Sequence, residues 1–359
     1  MNGAVIALTP QGRILALRIA AITGYTAYLP QKLVESDDEA LPYASLREAV
    51  ADNFTTRRAL VLIMATGIAV RLLAPLLQNK LTDPAVVLLD EGGRHAISLL
   101  SGHWGGANEL ACLLAESLGA VPVITTATDV AGLKAVDVFA AEMGVVPEPF
   151  ERVRDFNAAM LQGVTVAVFS DLPQLTEYSA AGLCFYPLSQ FAELKGKITC
   201  RALLTHLACY PGSDGQDLYL RPPDLYLGLG CRRGITAAQV IKAIESVLAR
   251  FNLAAGSLAG LASIDLKSDE QGLLQAAEYF KLPIRFFSGE EVRRLPLSYL
   301  ESAFVYQTVG VKGVCEPTAM LAAGSDRLLV TKQKVDGVTV AIAQADYPWS
   351  GWGREINRP

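Results

Sequence analysis

The chain has 359 residues, which at roughly 150 residues per domain makes two or three domains. Half of it is hydrophobic (51%), 19% is charged and the net charge is −5, which excludes intrinsic disorder and binding along a nucleic-acid backbone through a basic face. The mean hydropathy of +0.31 raises the question of a membrane span, but the longest charge-free stretches, Phe156–Ser170 and Tyr178–Ala192, are 15 residues each, short of the roughly 18 that a span needs.

The elements alternate. Ala4–Leu8 reads as a strand, and Pro10–Ala21 as a helix stopped by Gly24. Ala59–Met64 is a strand covered on both faces, and Gly67–Gln78 the helix after it. Ala85–Leu89 and His95–Leu99 flank a hairpin turn at Asp90–Arg94. Ala107–Leu118 is a helix ended by Gly119, and Val121–Ile124 a strand. Val130–Met143 and Phe150–Leu161 read as helices, with Val164–Phe169 and Leu183–Tyr186 as strands. Ile198–Leu220 gives no clear pattern, and Pro222–Pro223 marks a boundary. Beyond it come strand Leu225–Leu229, helix Thr236–Phe251 capped by Thr236, strand Leu258–Ile264, helix Ser268–Phe280 and strand Pro283–Phe287. Helix Gly313–Ala323 precedes a hairpin of Leu328–Thr331 and Val338–Ala343 around Asp336–Gly337.

This pattern predicts an α/β protein. Residues 1–130 form an N-terminal domain with a largely parallel sheet, and 131–222 a small central α/β region. Residues 223–346 form a separate three-layer α/β domain, and 347–359 a polar tail. Met1–Thr9 carries no early basic residue and Pro10, Gln11 and Gly12 interrupt its apolar run, so no secretory signal and a cytoplasmic location are expected. The six cysteines are scattered with no C-x-x-C, and with three histidines and no H-E-x-x-H they predict free thiols and no metal site.

Four glycine-flanked turns stand out. The first tract runs from Asp90-Glu91-Gly92-Gly93-Arg94-His95 to Ser101-Gly102-His103-Trp104-Gly105-Gly106-Ala107-Asn108. It crowds two histidines, which titrate near neutral pH, among glycines at a helix start, where backbone N–H groups favour an anion. The same residues also suit a plain glycine-rich hairpin and a capped helix. The second, Thr66-Gly67 with Arg71 one turn on, lies at the carboxyl end of the clearest strand, the edge where open α/β sheets bind ligands. The third, Gly228-Leu229-Gly230-Cys231-Arg232-Arg233-Gly234, has the wrong spacing for a dinucleotide fingerprint and no P-loop lysine. Its arginines suit a carboxylate or phosphate, and Cys231 beside them is a weaker candidate nucleophile. The fourth is Val309-Gly310-Val311-Lys312-Gly313 before Glu316-Pro317, which local helix stability mostly explains.

Met64–Arg71, Asp90–Asn108 and Thr125-Thr126-Ala127-Thr128-Asp129 together resemble the N-terminal domain of the CbiG family of cobalamin biosynthesis. Leu227–Gly234, Val309–Pro317 and Leu329–Ala343 are similar to the CobE/CbiG C-terminal domain. The resemblance implies hydrolysis of cobalt-precorrin-5A, in which a δ-lactone on the macrocycle opens and a two-carbon fragment leaves as acetaldehyde. It implies a small-molecule tetrapyrrole substrate that carries its own cobalt, with no protein-bound cofactor, no nucleic acid and no membrane. A homodimer and transient contact with neighbouring pathway enzymes are further expectations.

On this reading His95 or His103 is the general base and Glu91 orients it or serves as a second acid–base group. Residues 102–108, with Gly102, Gly105, Gly106 and Asn108, supply oxyanion or carboxylate donors. Thr66, Gly67, Arg71, Arg94, Gly230, Arg232, Arg233 and Lys312 hold the substrate's carboxylates. Two other classes fit the same turns: a carrier that binds corrin intermediates without chemistry, and an unrelated phosphate-ligand enzyme.

Overall fold

The computed structural model describes residues 2–79, 82–175, 177–295 and 313–348. They fold as three sheets in chain order, each flanked by helices.

The first sheet holds β1 (Gly3–Ala7), β2 (Thr26–Pro30), β3 (Ala40–Tyr43), β4 (Ala59–Ile63), β5 (Ala85–Leu89), β6 (His95–Leu100) and β7 (Val121–Val123), in the order β3-β2-β1-β4-β5-β6-β7. The first five are parallel. β6 turns back antiparallel to β5 through the expected hairpin, and β7 runs with β6. Every residue of β1, β4 and β5 is buried, because apolar cores lie on both faces of the sheet. Helix Pro10–Thr23 starts where the Thr9 hydroxyl accepts from the Gly12 N–H (3.1 Å) and stops at left-handed Gly24. The sequence did not reveal β2, β3 or helix Leu46–Thr56. β2 is only alternately buried and β3 is an exposed edge, so neither carries an apolar run. The helix expected to reach Gln78 ends at Leu73, and Pro75 sits in the short 3-10 turn that follows.

The second sheet holds β8 (Val146–Glu148), β9 (Val166–Phe169), β10 (Leu183–Tyr186), β11 (Arg201–Leu204) and β12 (Leu218–Arg221), in the order β10-β9-β11-β12-β8. Four strands are parallel and β8 closes the sheet antiparallel to β12. The helix expected over 130–143 is two pieces, Ala127–Val130 and Val136–Met143, with left-handed Gly132 between them. β11 and β12 come from the tract without a clear pattern. Arg201 at the head of β11 is buried against Asp217 (2.5 Å) and also reaches Asp214 (3.1 Å).

The third sheet holds β13 (Leu225–Cys231), β14 (Leu258–Ile264), β15 (Ile284–Phe287), β16 (Leu328–Val335) and β17 (Val338–Gln344), in the order β15-β14-β13-β17-β16. Three strands are parallel, and β16–β17 are the expected hairpin, turning through left-handed Asp336 and Gly337. Helices Ala237–Arg250 and Gln271–Phe280 cover one face and helix Cys315–Ala323 the other, which makes the three layers. Thr236 caps its helix in a reciprocal pair with Gln239. The helix expected from Ser268 begins at Gln271, after a 3-10 turn. Among the described residues no helix is long and apolar enough to cross a membrane.

Candidate active site

β6 ends at Leu100, and the chain turns sharply into helix Ala107–Leu118. Gly106 makes the turn at φ 85°, a backbone angle at which an L side chain is strained. The turn consumes its own donors. The N–H groups of Gly106, Ala107 and Asn108 bond the carbonyls of His103 (2.9 Å), Ser101 (3.2 Å) and Gly102 (3.0 Å). These three are therefore not donors for a substrate oxyanion, which corrects that part of the sequence reading.

The turn holds His103 between two carboxylates. Asp137 lies 3.3 Å from Nδ1 and Asp129 2.8 Å from Nε2. Asp137 opens the helix Val136–Met143 of the second unit, and Asn157 Nδ2 donates to its other oxygen (3.0 Å). Asn108 Nδ2 donates to Asp129 (3.0 Å) and to the Thr126 hydroxyl (3.2 Å), so Asn108 positions the site from beneath. Burial works against a charged imidazole here, but the hydrogen bonds and charges of Asp137 and then Asp129 outweigh it, and the His103 pKa is raised. Burial also opposes the Asp137 carboxylate, and His103 and Asn157 reverse that, lowering its pKa. His103 is thus held between carboxylates of the first and second units, an arrangement that favours its charged form.

A raised histidine pKa stabilises the fold in a defined window. The contribution is fully present below about pH 6.5, the unfolded value, and is lost as pH rises through the higher folded value. The melting temperature of the wild type should therefore fall between pH 6 and pH 9 by a component absent from His103→Gln. Parallel pH profiles for the two proteins would contradict this.

Beside His103 lies a cavity of about 460 Å³. Ser101, Gly102, Thr126 and Asp137 give it polar groups, and Trp104, Phe150, Val153 and Leu161 an apolar wall. Trp104 and Phe150 meet edge to face at 5.6 Å. Arg154, exposed and paired among the described residues with its exposed neighbour Asp155, stands at the same cavity. All the lining residues lie between 101 and 161.

The other expected residues are elsewhere. Glu91, Arg94 and His95 are exposed on the β5–β6 hairpin. Asp90 holds that hairpin, accepting from the N–H groups of Gly92, Arg94 and His95. His95 begins β6 and His103 follows its end; a strand at about 3.3 Å per residue sets them roughly 20 Å apart. Glu91 therefore does not orient His103; Asp137 does. Thr66, Gly67 and Arg71 lie at the carboxyl edge of β4, where the Arg71 guanidinium caps the Gly67 carbonyl (2.9 Å). Thr66 is the first helical residue and makes no cap; Ala65 precedes it.

In the third unit, Gly230 packs against Thr339, and Arg233 is taken by Asp269 (2.8 Å) and the Leu266 carbonyl (2.9 Å). Arg232 follows β13 in the same turn. Burial raises the Cys231 thiol pKa, which weighs against a thiolate nucleophile there. Lys312 and the rest of 309–312 lie outside the described residues, as do 349–359 of the tail.

Asp129, Asp137, Asn157 and Arg154 were not chosen from the sequence. Asp129 sits in the tract that carries the family resemblance, which was the one available signal for it.

Three family models match in chain order: cobalamin synthesis G N-terminal over residues 48–129, cobalamin biosynthesis central region over 134–187, and cobalamin synthesis G C-terminus over 225–343. A cobalt-precorrin-5A hydrolase of Priestia megaterium is 33% identical, over 96% of this chain and 95% of its own length. That of Salmonella typhimurium is 36% identical, over 95% of this chain and 97% of its own. A protein named CobE, from a Sinorhizobium species, is 35% identical over 124 residues, 33% of this chain and 79% of its own. In sequence along nearly its whole length, the chain belongs to the CbiG family, the cobalt-precorrin-5A hydrolases of cobalamin synthesis.

Proposed function

We infer that the chain opens the δ-lactone of cobalt-precorrin-5A and releases its two-carbon fragment as acetaldehyde, leaving cobalt-precorrin-5B. The observation that supports this reading is the His103 cavity. There, the first and second units supply a histidine, two carboxylates and an apolar wall around one space.

The apolar wall of Trp104, Phe150 and Val153 suits one face of a macrocycle, and Arg154 suits a carboxylate on its rim. Asp129, the more exposed carboxylate of the pair, takes the proton of the attacking water. The His103 imidazolium stabilises the tetrahedral oxyanion by its charge and supplies a proton to the departing ring oxygen through Asp129. Asp137 holds the imidazole ring as the carboxylate of a hydrolytic triad does. This is a change from a free histidine base: both ring nitrogens are engaged, so the pair with Asp129 moves the proton. The chemistry asks for no cofactor of the protein's own, because the cobalt arrives within the substrate. A cytoplasmic location, a homodimer and transient contact with neighbouring enzymes belong to the same reading.

Purified protein mixed with cobalt-precorrin-5A should produce acetaldehyde and a ring product that has gained one water and lost the two-carbon fragment. Recovery of the lactone unchanged from a stoichiometric complex would instead identify a carrier.

A further inference from the structure

The second sheet has a cavity of its own, of about 390 Å³. β9, β11 and β12 are parallel, and the segments leaving their carboxyl ends meet there: Ser170 and Asp171, Thr205 and His206, Pro222 and Asp224. This is the edge at which open parallel sheets bind ligands. The third unit roofs it with Arg327 and Gln344. Nothing in the sequence reading assigned a role to this place.

Its floor is a buried carboxylate. Asp224 is 1% exposed. Its Oδ2 receives His206 Nδ1 (3.1 Å) and Gln344 Nε2 (2.6 Å). Its Oδ1, and Gln344 Oε1, are buried acceptors without a partner among the described residues. Such atoms cost free energy unless something in the cavity donates to them. The carboxylate on Nδ1 selects the histidine tautomer with its proton there. The lone pair of Nε2 then lies on a nitrogen that makes no hydrogen bond to a described residue. Of the three histidines, His95 is exposed on a hairpin and His103 has both nitrogens taken. His206 alone has the arrangement of an oriented general base.

We propose that the His206–Asp224 pair is the base for the carbon–carbon cleavage that releases the two-carbon fragment, an inference that rests on the hydrolase reading above. Lactone opening leaves a free hydroxyl on a two-carbon arm. Nε2 takes the hydroxyl proton, the oxygen becomes the carbonyl of acetaldehyde, and the bond from its carbon to the macrocycle breaks. The electron pair of that bond passes into the conjugated ring, and the proton on Nε2 is returned to the ring carbon. No oxidant or reductant is needed. The Nε2 acceptor of His206 suits the hydroxyl donor of the arm.

Single-turnover experiments separate the two steps. Lactone opening is followed by the mass gain of one water on the macrocycle, and acetaldehyde by its enzymatic reduction with NADH. His206→Gln should open the lactone at the wild-type rate, accumulate the hydroxy acid and release acetaldehyde at least about 100-fold more slowly. Imidazole added to His206→Ala should restore release, which a loss of folding would not allow. Wild-type release by folded His206→Gln, or a block at lactone opening in that variant, would overturn the proposal. Failure of the wild type to open the lactone would instead sink the hydrolase reading.

Discussion

Replacing His103 with glutamine should lower lactone opening by about 10²- to 10⁴-fold, the usual contribution of a positioned acid–base group. Acetaldehyde production should fall with it, because the second step depends on the first. A structural complication is foreseeable. Without His103, Asp137 is a buried carboxylate left with Asn157 and its own backbone N–H, and stranding a buried charge costs about 3–5 kcal/mol. The double variant His103→Gln, Asp137→Asn removes that charge too. It should regain stability over His103→Gln alone and stay inactive. A folded double variant that turned over like the wild type would remove His103 from the chemistry. His95→Gln and Glu91→Gln, on the hairpin at the opposite end of β6 from His103, should keep near wild-type rates.

Gly228→Ala should prevent the third unit from folding. Gly228 lies in the central strand β13, hydrogen-bonded between β14 and β17. A Cβ there would stand 1.7 Å from the Cys315 carbonyl oxygen and 2.7 Å from the Ala319 nitrogen. Both are backbone atoms of the covering helix and cannot swing aside. The helix would have to lift from the sheet along its length and abandon its packing against β13 and β17. The expected loss exceeds about 3 kcal/mol, read as a collapse in soluble yield or a large drop in denaturation midpoint. A wild-type midpoint would mean that this close approach does not exist. The same motif read from the sequence as an anion-binding loop, so Gly228 has a packing reason for being glycine that the loop reading missed.

What was legible follows from where the partners of each residue lie. β1, β4, β5 and β14 are covered on both faces, so their sequences are unbroken apolar runs and announce themselves. β11 and β12 carry Arg201 and Arg221, which argue locally against a core. Their partners, Asp217 and Glu148, are 16 and 73 residues away, and no local window contains the compensation. The site divides the same way. The turn at 101–108 is local, so its glycines and His103 stood out. Asp137 and Asn157 come from a different unit, 34 residues from His103 and a further 20 beyond, and no spacing pointed to them. His95 misled for the opposite reason: it is near His103 in sequence, but the extended strand β6 carries it to the far edge of the sheet. The central region offered no candidate residue because its part in these two cavities is not built from a contiguous motif.

The central claim is that the lactone is opened against residues 101–161, across the first and second units. The direct measurement is a structure of the Asp137→Asn variant with cobalt-precorrin-5A bound. The account predicts a ring face on Trp104 and Phe150, a rim carboxylate on Arg154, and the lactone beside His103 and Asp129. A macrocycle seated on the Glu91–His95 hairpin, or against Arg232 and Arg233, would contradict it.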